Sequence, residues 1–227
     1  MEEIQKVKTV LIASGGGTDA YAIMDAYSRG YLPNVSIEAL VSTKEGAGCL
    51  EKAEKFRIKT IVVDRKKIGD GILFNRALSK ELHRLECQLV FLVGCVVHIW
   101  PENFYAMYNI HPADIVKFGG KKMYGLKVHE RVLENVVDLI ERGKSDNRED
   151  IFYTYPTVHA VTKDYDSGDP LMTVAVRIPF DLLHALLEYK IIDIKEAAKR
   201  LQEHVLPYEW AMLPAAVNIA ALKILKG

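Results

Sequence analysis

The chain has 227 residues, 49% of them hydrophobic and 26% charged, so it is long enough to bury a core as one large or two small domains. Its 30 basic and 30 acidic residues cancel, which argues against a general nucleic-acid binder. Its three cysteines lack CxxC spacing, so we expect no disulfides. We find neither a signal peptide nor a run of about 18 apolar residues, so we expect a cytoplasmic protein without a membrane segment.

The first part of the chain alternates strand and helix patterns with short connections. This order predicts a Rossmann-like α/β fold with an open, mostly parallel sheet flanked by helices and right-handed crossovers. The predicted strands are Val7–Ala13, 36–43 and 59–63, and the predicted helices run through Arg29 and over 48–56 and 72–85.

A glycine-rich loop follows the first strand directly, with the sequence Ser14, Gly15, Gly16, Gly17, Thr18 and Asp19. Backbone N–H groups and a helix N-terminus form an anion cradle where glycine allows close approach, so phosphate is the expected ligand. The spacing matches neither the Walker pattern nor GxGxxG. The alternative is a tight turn with Thr18 or Asp19 as the helix N-cap, whether or not a ligand binds.

Two further apolar runs lead into polar side chains near the middle of the chain. Residues 90–97 have the length and β-branched content of a buried parallel strand, and a second run ends in Asn109, Ile110, His111 and Pro112. Asn109 and His111 lie two residues apart, so they share one face of an extended segment. Ligands bind at the carboxyl ends of such strands, which makes this pair a candidate for catalysis. The alternative is a turn cap and a hydrogen-bonded histidine without function.

The second half of the chain, from residue 113, predicts a loop, a hairpin and helices. Residues 117–125 form a glycine-rich basic loop that is either a lid or simply exposed, and 143–150 a polar surface segment. A C-terminal β-hairpin is expected from strands 153–162 and 171–178 around the turn 163–170. Helices are predicted over 126–142, 194–205 and 209–226, the last two separated near Pro207. We expect one domain over 1–227, with a nucleotide-binding-like half, 1–112, completed by 113–227.

Four blocks of sequence resemble the folate-dependent formyltransferases, most closely the phosphoribosylglycinamide formyltransferases (glycinamide ribonucleotide transformylases). They are ASGGGTDAYAI (13–23), NIHPADIVKFGG (109–120), TVHAVTKDYDSGDP (157–170) and LQEHVLPYEWAML (201–213). The blocks occur in the family's order and span nearly the whole chain. The Asn-x-His-Pro signature at a strand end is the most specific of them.

The resemblance implies transfer of a formyl group from 10-formyltetrahydrofolate, a co-substrate, to the amine of glycinamide ribonucleotide, without a metal. Asn109 and His111 would donate hydrogen bonds to the developing oxyanion. Asp166 would raise the pKa of His111 and orient it, or hold a proton-shuttling water. Without the resemblance, Asp166 reads as a turn residue.

The resemblance also assigns the two ligands to separate parts of the chain. Gly16, Gly17, Thr18 and Asp19 would receive the ribose-phosphate, and Glu203, otherwise a solvated helix residue, the ribose hydroxyls. The folate would lie along Cys95, Val96, Val97, His98 and Ile99 and against Asp164 and Tyr165. His129 and His159 also match family histidines, and either is alternatively structural.

Several residues of the expected site depart from the family pattern. Asp19 stands where members of the purine branch commonly have Asn, and a carboxylate beside a phosphate dianion is repulsive, so it turns away or the ligand differs. The arginine usual in the folate segment is missing, with His98 as a partial substitute. The acceptor is therefore less determined than the reaction.

Three functions remain open from the sequence. The first is the ribonucleotide transformylase, in which the partners are a ribose-phosphate amine and folate, with neither nucleic acid nor membrane, and the protein is a monomer or homodimer. The second is a related formyltransferase or deformylase that acts on another sugar amine or on water. The third is an inactive folate-binding or nucleotide-binding homologue.

Overall fold

A computed structural model describes residues 5–102, 104–143 and 151–227 of the chain. Most of the polar segment expected over 143–150 lies outside these residues. The strands are β1 Val7–Ala13, β2 Val35–Ser42, β3 Thr60–Val62, β4 Leu89–Leu92, β5 Ala106–His111, β6 Tyr153–Thr154, β7 Thr157–Ala160, β8 Pro170–Thr173 and β9 Val176–Arg177. The helices are α1 Thr18–Ser28, α2 Gly48–Lys55, α3 Arg65–Ile68, α4 Gly71–Arg84, α5 Ile115–Phe118, α6 Leu126–Glu141, α7 Phe180–Leu187 and α8 Ile194–Leu225.

A seven-stranded sheet in the order β3-β2-β1-β4-β5-β7-β8 organises the fold. The first five strands of that order pair in parallel, and β7 and β8 add to the edge in antiparallel orientation. The predicted fold class, an open and mostly parallel sheet flanked by helices, is confirmed. The carboxyl ends of β1, β4 and β5 lie side by side, which brings the glycine loop next to Asn109 and His111.

Helices cover both faces of this sheet, which explains why β1 and β4 are apolar along nearly their whole length. One face carries α1, α2 and the C-terminal half of α8, with Leu11, Ile23 and Leu213 in its core. The other face carries α4, whose Phe74, Leu78 and Leu82 pack on the opposite side of the same strands. The sheet is therefore a rigid support for the loops at its carboxyl edge.

A second core lies beyond the edge of the sheet. There α6, α7 and the N-terminal half of α8 pack around the small sheet formed by β6 and β9. Val132, Leu183 and Leu201 are among its buried residues. From this layer, α6 and α8 contribute residues to the cavity at the carboxyl edge of the main sheet.

The predicted strand over 90–97 is wrong in its second half. β4 ends at Leu92, and residues 93–99 form a loop that leaves the sheet. Gly94 has φ +70° and its carbonyl accepts a hydrogen bond from the Ser14 N–H at 3.1 Å. A left-handed residue cannot continue a strand, so the apolar side chains after it line a loop instead.

The predicted hairpin is present but divided into two sheets. The inner strands β7 and β8 extend the main sheet, whereas the outer strands β6 and β9 form the small one. Pro156 lies between β6 and β7, and a proline within a strand interrupts its ladder of hydrogen bonds. The short helices α3 and α5, and α7, were not predicted.

The predicted break near Pro207 is wrong, because α8 is one helix of 32 residues with Pro207 and Pro214 inside it. Both cores pack against it, with Leu201 and Val205 buried before Pro207 and Met212 and Leu213 after it. Tertiary packing on each side outweighs the cost of a proline in a helix.

By length and composition α8 could cross a membrane, which corrects the expectation that no segment is apolar enough. Of its most apolar 18-residue window, 44% is buried inside the fold. Core helices of globular proteins meet the same criterion, so α8 is weak evidence for a membrane span.

Candidate active site

The glycine loop between β1 and α1 ends in a residue that tolerates no side chain. Gly17 is the N-cap of α1, with φ 71°, and makes no side-chain cap hydrogen bond. A Cβ on Gly17 would overlap the Cβ of Cys49 and lie 2.7 Å from its Cα, whereas one on Gly15 or Gly16 would meet nothing within 4 Å. The alternative in which Thr18 or Asp19 caps the helix is therefore wrong. The first N–H groups of α1 have no partner within the helix.

Asn109, His111, His159 and Asp166 form one cluster at the end of β5. In the antiparallel pairing of β5 and β7, Asn109 lies opposite His159, and the two side-chain nitrogens Nδ2 and Nε2 are 3.3 Å apart. Oδ1 of Asp166 lies 3.4 Å from Nε2 of His159, and its Oδ2 lies 3.6 Å from Nδ1 of His111. The structure thus brings the three predicted catalytic residues together and adds His159.

Asp166 is held in place by its backbone and by the loop opposite. It has φ 49°, in the left-handed region, and its Oδ2 accepts a hydrogen bond from the Gly120 N–H at 2.9 Å. Burial raises its pKa, but the hydrogen bond from His159, the charge of His111 and the Gly120 N–H outweigh burial and hold the pKa below the usual value. Asp166 is therefore an ionised carboxylate at neutral pH.

His159 connects the amide of Asn109 to this carboxylate. Its Nδ1 donates to the carbonyl of Ala160 at 2.9 Å, which fixes that nitrogen as protonated. The other nitrogen, Nε2, faces both Asn109 and Asp166. When neutral it accepts from the amide, and when protonated it donates to the carboxylate.

His111 is buried between Asp166 and the loop that contains α5. Its Nε2 donates to the Phe118 carbonyl at 3.1 Å, while Nδ1 faces Asp166. Burial lowers the pKa of His111, and the charge of Asp166 raises it by less, so the net shift is downward. The expectation that Asp166 raises this pKa is right in sign but outweighed by burial.

A cavity of about 390 Å³ joins this cluster to the end of β1. Its wall contains Asn109, His111 and Asp166, and the predicted folate residues Cys95, Val96, Val97, His98, Ile99, Asp164 and Tyr165. The rings of His98 and Tyr165 stack with centroids 4.2 Å apart. Of the glycine-loop residues, Thr18 and Asp19 line the cavity, and Gly16 and Gly17 are not part of its wall. In the described ranges, no group of three His, Cys, Asp or Glu side chains is placed to hold a metal.

The sequence profile described as "Formyl transferase" matches residues 7–198. The chain belongs to this family. The chloroplastic phosphoribosylglycinamide formyltransferase of Arabidopsis thaliana is 32% identical over 182 residues, which cover 78% of this chain and 57% of that protein. The enzyme of the same name from Vigna unguiculata is 26% identical over 231 residues, which cover 91% of this chain and 69% of that protein. The chain thus spans little more than half the length of the first of these relatives.

The fold also matches solved structures of the formyl transferase family. A phosphoribosylglycinamide formyltransferase from Brucella melitensis is 25% identical, with a TM-score of 0.69 and 96% of each chain covered. The family resemblance read from the four sequence blocks is confirmed.

Two of the residues that the sequence assigns to the acceptor lie differently from the expectation. Glu203 is exposed and is not among the residues that line the cavity, whereas its neighbour Gln202 and the buried Glu209 are. The sequence gives no role to Glu209, because its burial depends on how the continuous α8 is rotated against α1. Asp19 does not turn away from the site but lines it, 9% exposed.

His129 is a further buried group that the sequence left undecided. It lies on α6, is 1% exposed and lines the cavity. Its Nδ1 has no hydrogen-bond partner among the residues described. Burial, and then the charge of His111, lowers its pKa to about 4, so it is neutral at physiological pH.

Proposed function

We propose that this chain transfers the formyl group of 10-formyltetrahydrofolate to the amine of glycinamide ribonucleotide in purine biosynthesis. The observation that carries the proposal is the convergence of Asn109, His111 and Asp166 in one cavity beside the glycine loop. The names of the Arabidopsis and Brucella relatives support the same reaction.

In the proposed reaction the acceptor amine attacks the formyl carbon and gives a tetrahedral intermediate. The amide of Asn109 donates to the developing oxyanion, and so does His111 through the Nε2–H that bonds the Phe118 carbonyl in the free protein. The attacking nitrogen loses a proton, and N10 of the folate gains one as its bond to the formyl carbon breaks. Asp166, with its lowered pKa, orients His111 and stabilises the imidazolium form during this transfer.

The two substrates are proposed to bind different sets of residues around the cluster. The phosphate would bind the backbone of Gly16, Gly17 and Thr18 at the start of α1. The folate would lie along 95–99 and against Asp164 and Tyr165, where apolar walls and the stacked His98 give it a surface. That Glu203 binds the ribose hydroxyls stays a prediction. It also stays a prediction that residues 1–227 form a single domain, that the protein is a monomer or homodimer, and that it is located in the cytoplasm.

One assay tests the proposal directly. The purified protein is given 10-formyltetrahydrofolate with glycinamide ribonucleotide, and release of tetrahydrofolate is followed. We expect saturable turnover that is lost in His111→Ala. The absence of turnover with this acceptor, in a protein that binds folate, would overturn the proposal.

A second candidate function is formyl transfer to a different acceptor, which the buried Asp19 beside the phosphate loop favours. The same assay is therefore run with other sugar amines and with water alone. Turnover with another amine identifies a related formyltransferase, and release of formate without any amine identifies a deformylase.

A further inference from the structure

Two carboxyl groups are buried together at the acceptor end of the cavity. Asp19, in the first turn of α1, is 9% exposed, and Glu209, on α8, is 5% exposed; both line the cavity wall. Oδ1 of the Asp19 carboxyl is buried without a hydrogen-bond partner in the described parts of the chain.

Among the residues described, the cavity wall offers a single lysine or arginine to two buried carboxyl groups. Among the cavity residues that the structure describes, Lys122 is the one lysine or arginine, and it belongs to the loop between α5 and α6. The other titratable or charged side chains of the wall are Cys95, His98, His111, Tyr124, His129, His159, Asp164, Tyr165 and Asp166. Ionising both buried carboxyls is unfavourable, because each desolvated charge is costly and each repels the other.

We propose that Asp19 and Glu209 share a single proton, and that the protonated carboxyl donates a hydrogen bond to the anionic group of the acceptor bound at the glycine loop. The inference rests on the proposed function. It assigns to this carboxyl pair the hydrogen bond that the site donates to the phosphate of the acceptor. One shared proton halves the negative charge that the pair presents to an anionic ligand and supplies a donor, since a neutral acid attracts a phosphate oxygen that a carboxylate repels.

The titration of the pair agrees with this arrangement. Burial raises the pKa of Asp19 to about 6, against the opposing hydrogen bond from Trp210. Burial, and then the charge of Asp19, raises the pKa of Glu209 to about 8. The pair therefore retains one proton at neutral pH and loses it as the pH rises through about 8. Acceptor binding should weaken over the same range.

The test compares the acceptor KM and kcat of the wild type with those of Asp19→Asn and Glu209→Gln between pH 7 and 9.5. Phosphate monoesters are already dianions there. Above pH 8 we expect the wild-type KM to rise about tenfold per pH unit, with little change in kcat. The KM of Asp19→Asn should not rise in this way, because its amide donates a hydrogen bond at every pH. Asp25→Asn, the same change at an ion-paired position on α1 outside the cavity, should follow the wild type.

Two readouts separate this inference from the identity of the acceptor. Inorganic phosphate binding to the ligand-free protein should show the same pH dependence, even if glycinamide ribonucleotide proves inert. The infrared carbonyl band of a protonated carboxylic acid should be present at pH 7 in the wild type and absent in the double variant Asp19→Asn/Glu209→Gln. A wild type without that band, or with phosphate affinity independent of pH, would overturn the inference. So would a tenfold or larger loss of phosphate affinity in Asp19→Asn at every pH, because it would mean that the site requires a carboxylate.

Discussion

At the scale of single residues, Asp166 connects the two histidines of the proposed catalytic cluster, because its two carboxylate oxygens face His111 and His159. In Asp166→Asn the amide keeps the shape but loses the charge that stabilises an imidazolium. We expect kcat to fall by about 10²–10⁴, the range attributed to positioned acid-base groups, in a steady-state formyl-transfer assay. Asp169→Asn makes the same change at an exposed position outside the cavity and should keep wild-type turnover. Equal losses in both variants would remove Asp166 from the mechanism.

His159 should act on turnover through Asp166. Its hydrogen bond is the largest of the effects that lower the Asp166 pKa, so His159→Gln should raise that pKa. The acid limb of the pH profile of kcat/KM would then move to higher pH, while turnover at pH 8 changes less. His204→Gln is the control, because His204 bonds the Arg177 carbonyl away from the cavity. A uniform loss of activity at all pH values would assign His159 a structural role only.

Some residues of the cavity can be predicted from the sequence and others cannot, because local pattern positions the first and tertiary packing positions the second. Asn109 and His111 follow from an apolar strand that ends in polar side chains, and Asp166 follows from the family resemblance. His159 matches a family histidine in the sequence, but its place in the cluster depends on the register of β5 against β7, which no local pattern encodes. Glu209 reaches the cavity through the rotation of α8, and a helix of mixed polarity does not reveal which face is buried.

At the scale of elements, the turn from β1 into α1 is set by Gly17 rather than by the glycines before it. Gly17→Ala must hold alanine at φ 71° and push the backbone of Cys49 away, which should cost roughly 2–4 kcal/mol of unfolding free energy. Gly15→Ala has open space and should change stability by less than about 1 kcal/mol. Urea denaturation of both variants measures the difference, and equal midpoints would show that the loop adapts freely.

Element type could be predicted from the sequence wherever one local pattern dominates, and element ends could not. The apolar run after Leu89 favours a longer strand, yet Gly94 turns the chain out of the sheet after Leu92. Pro207 favours a helix end, yet packing on both sides keeps α8 continuous. In each case one backbone angle or a set of distant contacts overrides the local preference, and these are the places where the chain builds the cavity wall.

At the scale of the whole molecule, the cavity introduces ionisable groups into the fold whose effects on stability oppose one another. The buried His129 has a pKa of about 4 when folded, below its ordinary value, so in acid the unfolded chain takes up a proton that the folded chain refuses. The free energy of unfolding should therefore fall by up to about 3 kcal/mol from this group as the pH drops from 6.5 to 4. Glu209 has a raised pKa of about 8, so between pH 4.5 and 8 the unfolded chain releases a proton that the folded chain keeps. That group should lower stability as the pH rises.

Because these two windows overlap, the wild-type stability curve hides both effects, and the variants should separate them. His129→Leu should gain stability relative to wild type as the pH falls from 6.5 toward 4, while Glu209→Gln should gain as the pH rises from 4.5 to 8. Glu203→Gln, the same change at an exposed position on α8, should show no such trend. Thermal unfolding at half-unit pH steps gives the difference curves, which should have opposite slopes. Parallel curves would mean that the folded chain binds these protons no differently from the unfolded chain. The cavity would then hold neither a neutral buried histidine nor a protonated carboxyl.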